Sequence, residues 1–209
     1  MGMRKFILST ASLLLCFSLL AQTPMNKLVA KKASASVTYA TWNPSDNGGV
    51  TLSNGNLTAA RNASTAAVRA TIGISSGKWT WEIVPDVVGN QGSCIATSAF
   101  VLTADIGGEA TCWTYYHDDG SWYNNGYVGG PTSASANTDV FTFALDMDAG
   151  TLIVYRNGTA VNGGTPLFTG LTGTIYPMLG VQNLAATGTA NFGPTLVHPV
   201  GGYNEGVYN

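Results

Sequence analysis

From residue 36 onward the sequence consists of short runs in which apolar and polar residues alternate, separated by turn signals. In GKWTWEIV, for example, the alternation places Trp79, Trp81 and Ile83 on one face of a strand and polar residues on the other. Asn54-Gly55 and Asp119-Gly120 are dipeptides typical of tight hairpin turns. No stretch in this part keeps a helical period, so the pattern predicts an all-β sandwich or barrel.

The run ALDMDAGTLIVYRNG contains a D-x-D-x-G motif that resembles the start of a calcium-binding loop. That loop needs a polar ligand at position 5, Gly at position 6 and Glu at position 12. Counted from Asp146, these positions hold Gly150, Thr151 and Asn157, so all three requirements fail. The flanking residues alternate, and the motif therefore predicts a strand, a turn and a second strand rather than a metal site.

The first residues read as an export signal. Residues 1–5 are basic, and residues 6–21, FILSTASLLLCFSLLA, carry no charge. As a helix this uncharged stretch would span ~24 Å, short of the ~30 Å hydrocarbon core of a bilayer. We expect a signal peptide cleaved after Ala21 or, if nothing cuts it, an N-terminal anchor, which would be the chain's only membrane contact. Residues 22–35 read as a polar linker, and export predicts a secreted or cell-surface protein.

Removal of such a leader would also remove Cys16 and leave Cys94 and Cys112. An even number of cysteines in an exported protein is compatible with a disulfide. Both cysteines lie in strand-like runs, SCIATSAF and TCWTYY, that could be neighbours in a sheet. The sequence leaves two alternatives open, a Cys94–Cys112 disulfide or two buried thiols.

The charge of the predicted domain argues against a nucleic-acid partner. From Ala33 onward there are four basic and eleven acidic residues, a net charge of −7. A phosphate backbone requires the opposite sign. Charged residues make up only 10% of the whole chain, below the ~25% of a typical globular protein, so much of the surface must be uncharged and polar.

Several motifs follow one another over about residues 40–203, namely TWNPSDNGGVTLSNGNLTA, SSGKWTWEIV, CWTYYHDDGSWYNNG, DVFTFALDMDAGTLIVYRNG, IYPMLGVQN, ANFG and HPVGGY. In this order they resemble SPRY domains, especially those of bacterial and bacteriophage proteins. The resemblance implies a concanavalin A-like jelly-roll sandwich of two antiparallel sheets over residues 36–194, with a C-terminal tail over 195–209. It also implies a non-catalytic recognition module whose edge loops bind a partner. Cys112 and Thr114 depart from the family pattern at positions that usually hold small residues.

The residues themselves give no reason to expect an enzyme. The G-x-S-x-G match at residues 73–77 lacks the following helix that a nucleophile elbow needs. The three glutamates Glu82, Glu109 and Glu205 lie on separate runs, so no pair is placed for glycoside hydrolysis. The cysteines and histidines lack metal-ligand spacing. We therefore predict no catalytic residue, no metal and no cofactor; His117, the histidine nearest to a candidate loop, is expected at the surface.

The strongest candidate for binding is the segment HDDGSWYNNGYVGGP, residues 117–131. Aromatic rings beside amides suit protein or carbohydrate recognition, because rings supply contact area and amides supply adaptable hydrogen bonds. The predicted ligand-binding residues are Asp118, Asp119, Trp122, Tyr123, Asn125 and Tyr127. As an alternative for one of the two, Trp122 or Tyr123 continues a strand and is buried. A second candidate rim is the loop of residues 100–110, with Asp105 and Glu109.

Two functions follow from the sequence. The first is a secreted or surface-displayed SPRY-like module that binds a protein or a glycan through edge loops. The second is a structural component of a virion or cell surface, such as a decoration or fibre-associated protein, which packs against neighbouring subunits and would make the chain virion-associated.

Overall fold

The computed structural model describes residues 36–61, 64–182 and 185–209. The predicted leader and linker, and Cys16 with them, lie outside the described residues. Within these ranges the chain forms β-strands and connecting loops, and it contains no helix. No helix that would be long and apolar enough to cross a membrane occurs in these residues.

Sixteen strands are present in the described ranges. The first eight are β1 (Trp42–Asn47), β2 (Thr51–Ser53), β3 (Thr58–Arg61), β4 (Ala66–Ala70), β5 (Lys78–Val87), β6 (Gln91–Ala96), β7 (Cys112–Tyr116) and β8 (Trp122–Tyr123). The others are β9 (Tyr127–Gly129), β10 (Phe141–Asp146), β11 (Thr151–Arg156), β12 (Thr159–Ala160), β13 (Phe168–Thr169), β14 (Tyr176–Val181), β15 (Ala186–Asn191) and β16 (Asn204–Glu205).

The strands form two sheets, as the sequence predicts. The seven-stranded sheet has the order β1-β4-β14-β6-β7-β8-β9, and the nine-stranded sheet has β12-β11-β10-β5-β15-β3-β2 with β13 beside β11 and β16 beside β5. Neighbouring strands are antiparallel, except that the short β16 runs parallel to β5. Many neighbours in space are distant in sequence, so the fold depends on long-range pairing.

The main core lies between the sheets and is built from the faces that alternation predicts. Trp81 and Ile83 of β5 are fully buried, and Trp79 packs against the same cluster. The Trp81 ring stacks on Phe143 of β10 with centroids 5.5 Å apart. Buried aromatic pairs of this kind contribute the large apolar area that a sandwich core needs.

The middle of the polar face of β5, at Thr80 and Glu82, is also buried, because C-terminal residues cover it. The Glu82 side chain is 1% exposed and its carboxylate accepts hydrogen bonds from the backbone N–H groups of Val197 (2.9 Å) and His198 (2.7 Å). Val207 is fully buried in the main core. The residues predicted as a tail are therefore part of the sandwich body.

The D-x-D-x-G motif forms the turn between β10 and β11, which confirms the strand-turn-strand prediction. Asp146 Oδ1 accepts hydrogen bonds from the N–H groups of Asp148 (3.0 Å) and Ala149 (2.9 Å). Its other oxygen lies 2.8 Å from Lys78 Nζ. Gly150 has a φ of +65°, the left-handed conformation that favours glycine in a turn.

The outer face of the seven-stranded sheet is apolar and is covered by residues 97–111, which we call the covering loop. Phe100 and Ile106 of this loop are buried in a second apolar cluster together with residues of β4, β6, β7 and β14. Ile106 sits over two glycines, and a Cβ atom at Gly180 would lie 2.6 Å from Ile106 Cγ2, while one at Gly92 would lie 2.9 Å from Ile106 Cδ1. Because Gly92 and Gly180 lack a Cβ atom, they leave a hollow that holds the Ile106 side chain, and we call this hollow the glycine socket.

A buried guanidinium fixes the start of the covering loop. Arg69 is 6% exposed, and its Nη1 donates to the carbonyls of Phe100 (2.9 Å) and Thr97 (3.2 Å). Its Nε and Nη2 donate to the two oxygens of Asp46 at 2.7 and 2.9 Å. A bidentate pair of this geometry compensates the charge of a buried arginine and orders the loop at the same time.

The two cysteines are buried free thiols in the structure, which is the second of the two alternatives that the sequence leaves open. Cys94 pairs with Thr114 and Cys112 pairs with Ala96, so the cysteines are diagonal rather than opposite neighbours on β6 and β7. Diagonal Cα atoms lie about 7–8 Å apart, beyond the usual reach of a disulfide. The Thr114 hydroxyl lies between them, 3.2 Å from Cys94 Sγ and 3.3 Å from Cys112 Sγ.

We expect both thiols to be unreactive in the folded protein and reactive once it unfolds, without any reductant. Burial, together with the neighbouring Cys112, raises the pKa of the Cys94 thiol, so the nucleophilic thiolate is scarce. Alkylation with iodoacetamide before and after denaturation, followed by peptide mapping, measures this. A disulfide would instead leave both sites unlabelled until a reductant is added.

Ile106→Ala should lower the free energy of unfolding by about 3 kcal/mol, because it empties the glycine socket under the covering loop. The matched control is Val101→Ala in the same loop, where the side chain is 63% exposed and the change should stay within about 0.5 kcal/mol. Urea denaturation of the two variants and the wild type gives the comparison. Equal losses in both variants would show that Ile106 does not anchor the loop.

Candidate functional site

A groove of about 390 Å³ opens where the covering loop meets the turn between β7 and β8. The covering loop contributes Asp105, Gly107 and Gly108, and the turn contributes Asp118 and Asp119. The volume lies within the range of ligand sites in proteins, about 300–1,000 Å³. We call this feature the acidic groove, because its walls carry three carboxylates.

Tyrosines form the floor of the acidic groove. Tyr116 and Tyr123 line it, and their rings pack edge to face with centroids 5.2 Å apart. Tyr127, which is 59% exposed, continues the row at 5.6 Å from Tyr123. Tyr116 is only 8% exposed and packs in the outer cluster, since it alternates along β7 with the outward-facing Cys112 and Thr114.

The Tyr116 hydroxyl makes no hydrogen bond to any other described residue. Burial raises the pKa of this phenol, and the nearby Asp105 carboxylate adds to the effect, so the hydroxyl stays neutral. A Cβ atom placed on Gly107 would lie 3.1 Å from the hydroxyl oxygen, which shows how closely the covering loop approaches the ring. A neutral phenol can both donate and accept a hydrogen bond.

Two amides close the remaining side of the groove. Gln182 follows β14 and Asn90 precedes β6, the neighbouring strand, so sheet pairing brings them together. The Gln182 backbone N–H donates to the Asn90 carbonyl at 2.7 Å. The Gln182 side chain donates to Asp105 Oδ1, which also accepts from the Gly107 N–H at 2.8 Å.

The covering loop and the β8–β9 hairpin are held together by hydrogen bonds. The Gly126 N–H donates to the Gly107 carbonyl at 3.0 Å. The Asn124 side chain donates to the carbonyls of Ala110 (3.1 Å) and Cys112 (2.8 Å). The groove walls are thus tied to each other, which favours a preformed site over one that must be ordered by its ligand.

No basic residue of the described chain pairs with the three aspartates of the groove. Arg69, Lys78 and Arg156 form ion pairs elsewhere, and Arg61 bonds to the Gly49 carbonyl and to Ser64. Burial raises the pKa of the Asp118 carboxyl, and the negative charge of Asp119 next to it raises it further. The groove is therefore a region of uncompensated negative potential.

Only three of the six predicted ligand-binding residues line the groove. Asp118, Asp119 and Tyr123 line the groove, and Tyr127 stands beside it. Asn125 is an exposed turn residue with a φ of +51°, outside the groove lining. Trp122 is 8% exposed and lies in the main core, where a Cβ atom on Gly129 would clash with its ring at 2.4 Å, so its role is structural. Whether the others bind a ligand stays a prediction.

The sequence pointed to part of the second rim and to Tyr123 of the floor, but Tyr116 and the two amides were missed. Asp105 of the predicted rim lines the groove, whereas Glu109 is exposed and does not. Tyr116 was missed because alternation alone does not say whether Tyr115 or Tyr116 faces outward. Asn90 and Gln182 were missed because only the pairing of β6 with β14 brings them to the groove.

The prediction that His117 lies at the surface is wrong. The ring is fully buried, 4.5 Å from the Phe141 ring, because His117 continues the inward-facing side of β7. Nε2 lies 2.7 Å from Ser93 Oγ and Nδ1 lies 3.2 Å from Ser135 Oγ. Burial lowers the pKa of His117 to about 3, and the positive charge of Arg156 acts in the same direction.

The Ser93–His117 contact resembles a nucleophile and its base, yet a substrate cannot reach it. Ser93 is 1% exposed and His117 is fully buried, and neither lines the groove. The G-x-S-x-G match at residues 73–77 is followed by strand β5 rather than a helix. Neither arrangement in the described residues has the geometry of an accessible nucleophile.

Comparison with solved structures identifies the architecture. The SPRY domain of human HERC1 matches with a TM-score of 0.64 over 72% of this chain and 96% of that chain, at 18% sequence identity. The TRIM65 PSpry domain matches with a TM-score of 0.58 over 73% and 92%, at 16% identity. The fold is that of SPRY domains. No protein-family model matches the sequence.

The SPRY fold confirms the predicted concanavalin A-like sandwich of two antiparallel sheets. At these identities the likeness concerns the fold, and one fold carries many functions. The expected kinship with bacterial and bacteriophage SPRY proteins is a separate matter and stays a prediction.

We expect the free energy of unfolding to decrease as the pH is lowered below about 6.5. His117 should account for part of this decrease. In the unfolded chain a histidine titrates near 6.5, whereas folded His117 titrates at about 3, so between these values only the unfolded state binds the proton. The contribution is absent above this window and reaches about 2 kcal/mol of destabilisation at pH 5.

Melting curves from pH 7 to pH 4.5 test this with His117→Gln, which should show a shallower pH dependence than the wild type. The matched control is His198→Gln, which changes the other histidine and should follow the wild type. An imidazole Cε1 signal of His117 that titrates near pH 6.5 in NMR spectra of the folded protein would contradict the assignment.

Proposed function

We propose that this chain is a non-catalytic recognition module that binds a segment of another protein in the acidic groove. The observation that carries the proposal is the groove itself: a concave, preformed site with a tyrosine floor and polar walls, built at an edge of a SPRY fold. Tyrosine rings provide contact area at small entropic cost, and carboxylates and amides provide directional bonds.

The polar character of the walls favours a peptide segment as the ligand. The amide side chains of Asn90 and Gln182 carry both donors and acceptors, which suits the N–H and C=O groups of a polypeptide backbone, and the exposed Tyr127 extends the contact surface beyond the groove. A glycan, the other ligand class suggested by the sequence, is an alternative outcome of the same test.

The proposal includes export. The uncharged stretch of residues 6–21 supports a module that acts outside the cell or on its surface, where its partner would also be located.

Selection from a random displayed peptide library against the full chain tests the proposed site. Gly108→Trp places an indole at the groove mouth, since Gly108 is exposed and does not occupy the left-handed region. Gly201→Trp is the matched control, in a second hollow lined by Tyr155, Gly158 and residues 197–201. We expect selected peptides to bind the wild type and Gly201→Trp equally and to bind Gly108→Trp at least about tenfold more weakly.

Peptides that bind Gly108→Trp as tightly as the wild type would place recognition elsewhere on the surface. A parallel glycan array covers the other ligand class. Specific glycan binding that is lost in Gly108→Trp, with no selected peptide, would replace the protein ligand by a carbohydrate and overturn the proposal in its present form.

A further inference from the structure

The acidic groove has a charge pattern that restricts its ligand beyond the general class of peptides. Asp105, Asp118 and Asp119 all face it, and no basic residue of the described chain pairs with any of them. Each carboxylate offers about four lone-pair sites. Asp119 uses two of its sites on Ser121, the N–H at 2.7 Å and the hydroxyl at 2.6 Å, so acceptor capacity remains on the groove side.

The Tyr116 hydroxyl is the second, independent indication of a ligand. The residue is 8% exposed, lines the groove, and has no hydrogen-bond partner within the described part of the chain. Its oxygen is not one of the described side-chain atoms that are both sealed from solvent and unpaired, so it opens on the groove, where a ligand can bond to it. Because the surrounding groups are carboxylates, a ligand that donates hydrogen bonds satisfies the hydroxyl oxygen and the aspartates together.

The acceptors lie on different walls of the groove, and this arrangement favours an organic cation over a metal ion. In the described ranges, the acidic, histidine and cysteine side chains form no group of three that would hold a metal. A guanidinium instead presents five donors in a plane, which can reach acceptors on different walls, and it packs on aromatic rings such as Tyr123. An ammonium presents the same charge at one point and matches fewer of these acceptors.

From three carboxylates without a basic partner and a tyrosine hydroxyl that opens on the same groove, we infer that the acidic groove binds the guanidinium of an arginine side chain presented by the partner protein. The inference rests on the proposed function, since it names the part of the peptide that the groove recognises. The arginine donates to Asp118, Asp119 and the Tyr116 oxygen, and its aliphatic stem lies along the tyrosine floor.

A titration of the ¹⁵N-labelled full chain with N-acetyl-L-arginine methylamide, followed by NMR, tests this directly. We expect shifts at the amides of Gly107, Gly108, Asp118 and Asp119. N-acetyl-L-citrulline methylamide has the same shape without the charge and should bind at least about tenfold more weakly, because charge-assisted hydrogen bonds are lost.

Three variants keep the test specific. Asp118→Asn/Asp119→Asn should weaken binding of the arginine probe about tenfold, and Asp148→Asn/Glu205→Gln removes the same charge outside the groove and should leave binding within about twofold. Tyr116→Phe removes only the hydroxyl and should weaken binding roughly fivefold. Unchanged dispersion of the amide spectrum establishes that each variant is folded.

Several outcomes would overturn the inference. These are equal binding of the arginine and citrulline probes, a lysine probe that binds as tightly as arginine, or calcium chloride shifting the same amides at lower concentration than arginine. Selected peptides that require the groove but contain no essential arginine would reject the guanidinium while leaving the proposed function intact. If no peptide is selected and no probe shifts these amides, both fail.

Discussion

The apolar outer face of the seven-stranded sheet is the constraint on which the groove depends. A sheet in a two-layer sandwich normally turns one face to water, yet here β6 is buried on both faces because Cys94, Ala96 and their neighbours point away from the main core. The covering loop shields these side chains from water. One wall of the groove is the edge of that loop, so burial of apolar surface determines where the polar site lies.

Two interactions, one apolar and one ionic, fix the position of the covering loop on the sheet. Ile106 fills the hollow over Gly92 and Gly180, and Arg69 binds the loop backbone near Phe100 while pairing with Asp46. The thiols of Cys94 and Cys112 and the hydroxyl of Thr114 fill the space beneath the loop and contact one another. These polar side chains and the covered sheet are thus parts of one arrangement.

The sequence predicted what depends on local periodicity. Alternation and turn dipeptides were sufficient for an all-β sandwich or barrel, for the inward face of Trp81 and Ile83, and for the turn after Asp146, while the choice of a two-sheet sandwich came from the resemblance to SPRY domains. They were insufficient for His117, whose partners Ser93 and Ser135 lie far along the chain, and for the diagonal placement of the cysteines. Alternation gives two faces without saying which is covered, so Tyr116 became visible as a groove residue only once the sheet order was known.

In the covering loop, the residues that fix its position differ from those that form its exposed rim. Its position is fixed by buried Ile106 and Phe100 and by bonds to backbone carbonyls, which any residue provides. Other positions have exposed side chains that do not fix the loop, for example Val101, Thr103, Gly108 and Glu109. The loop can therefore accept a wide range of side chains at its rim without losing its path. These rim positions are therefore suitable for randomisation in a designed binder library, because the loop keeps its path when they change.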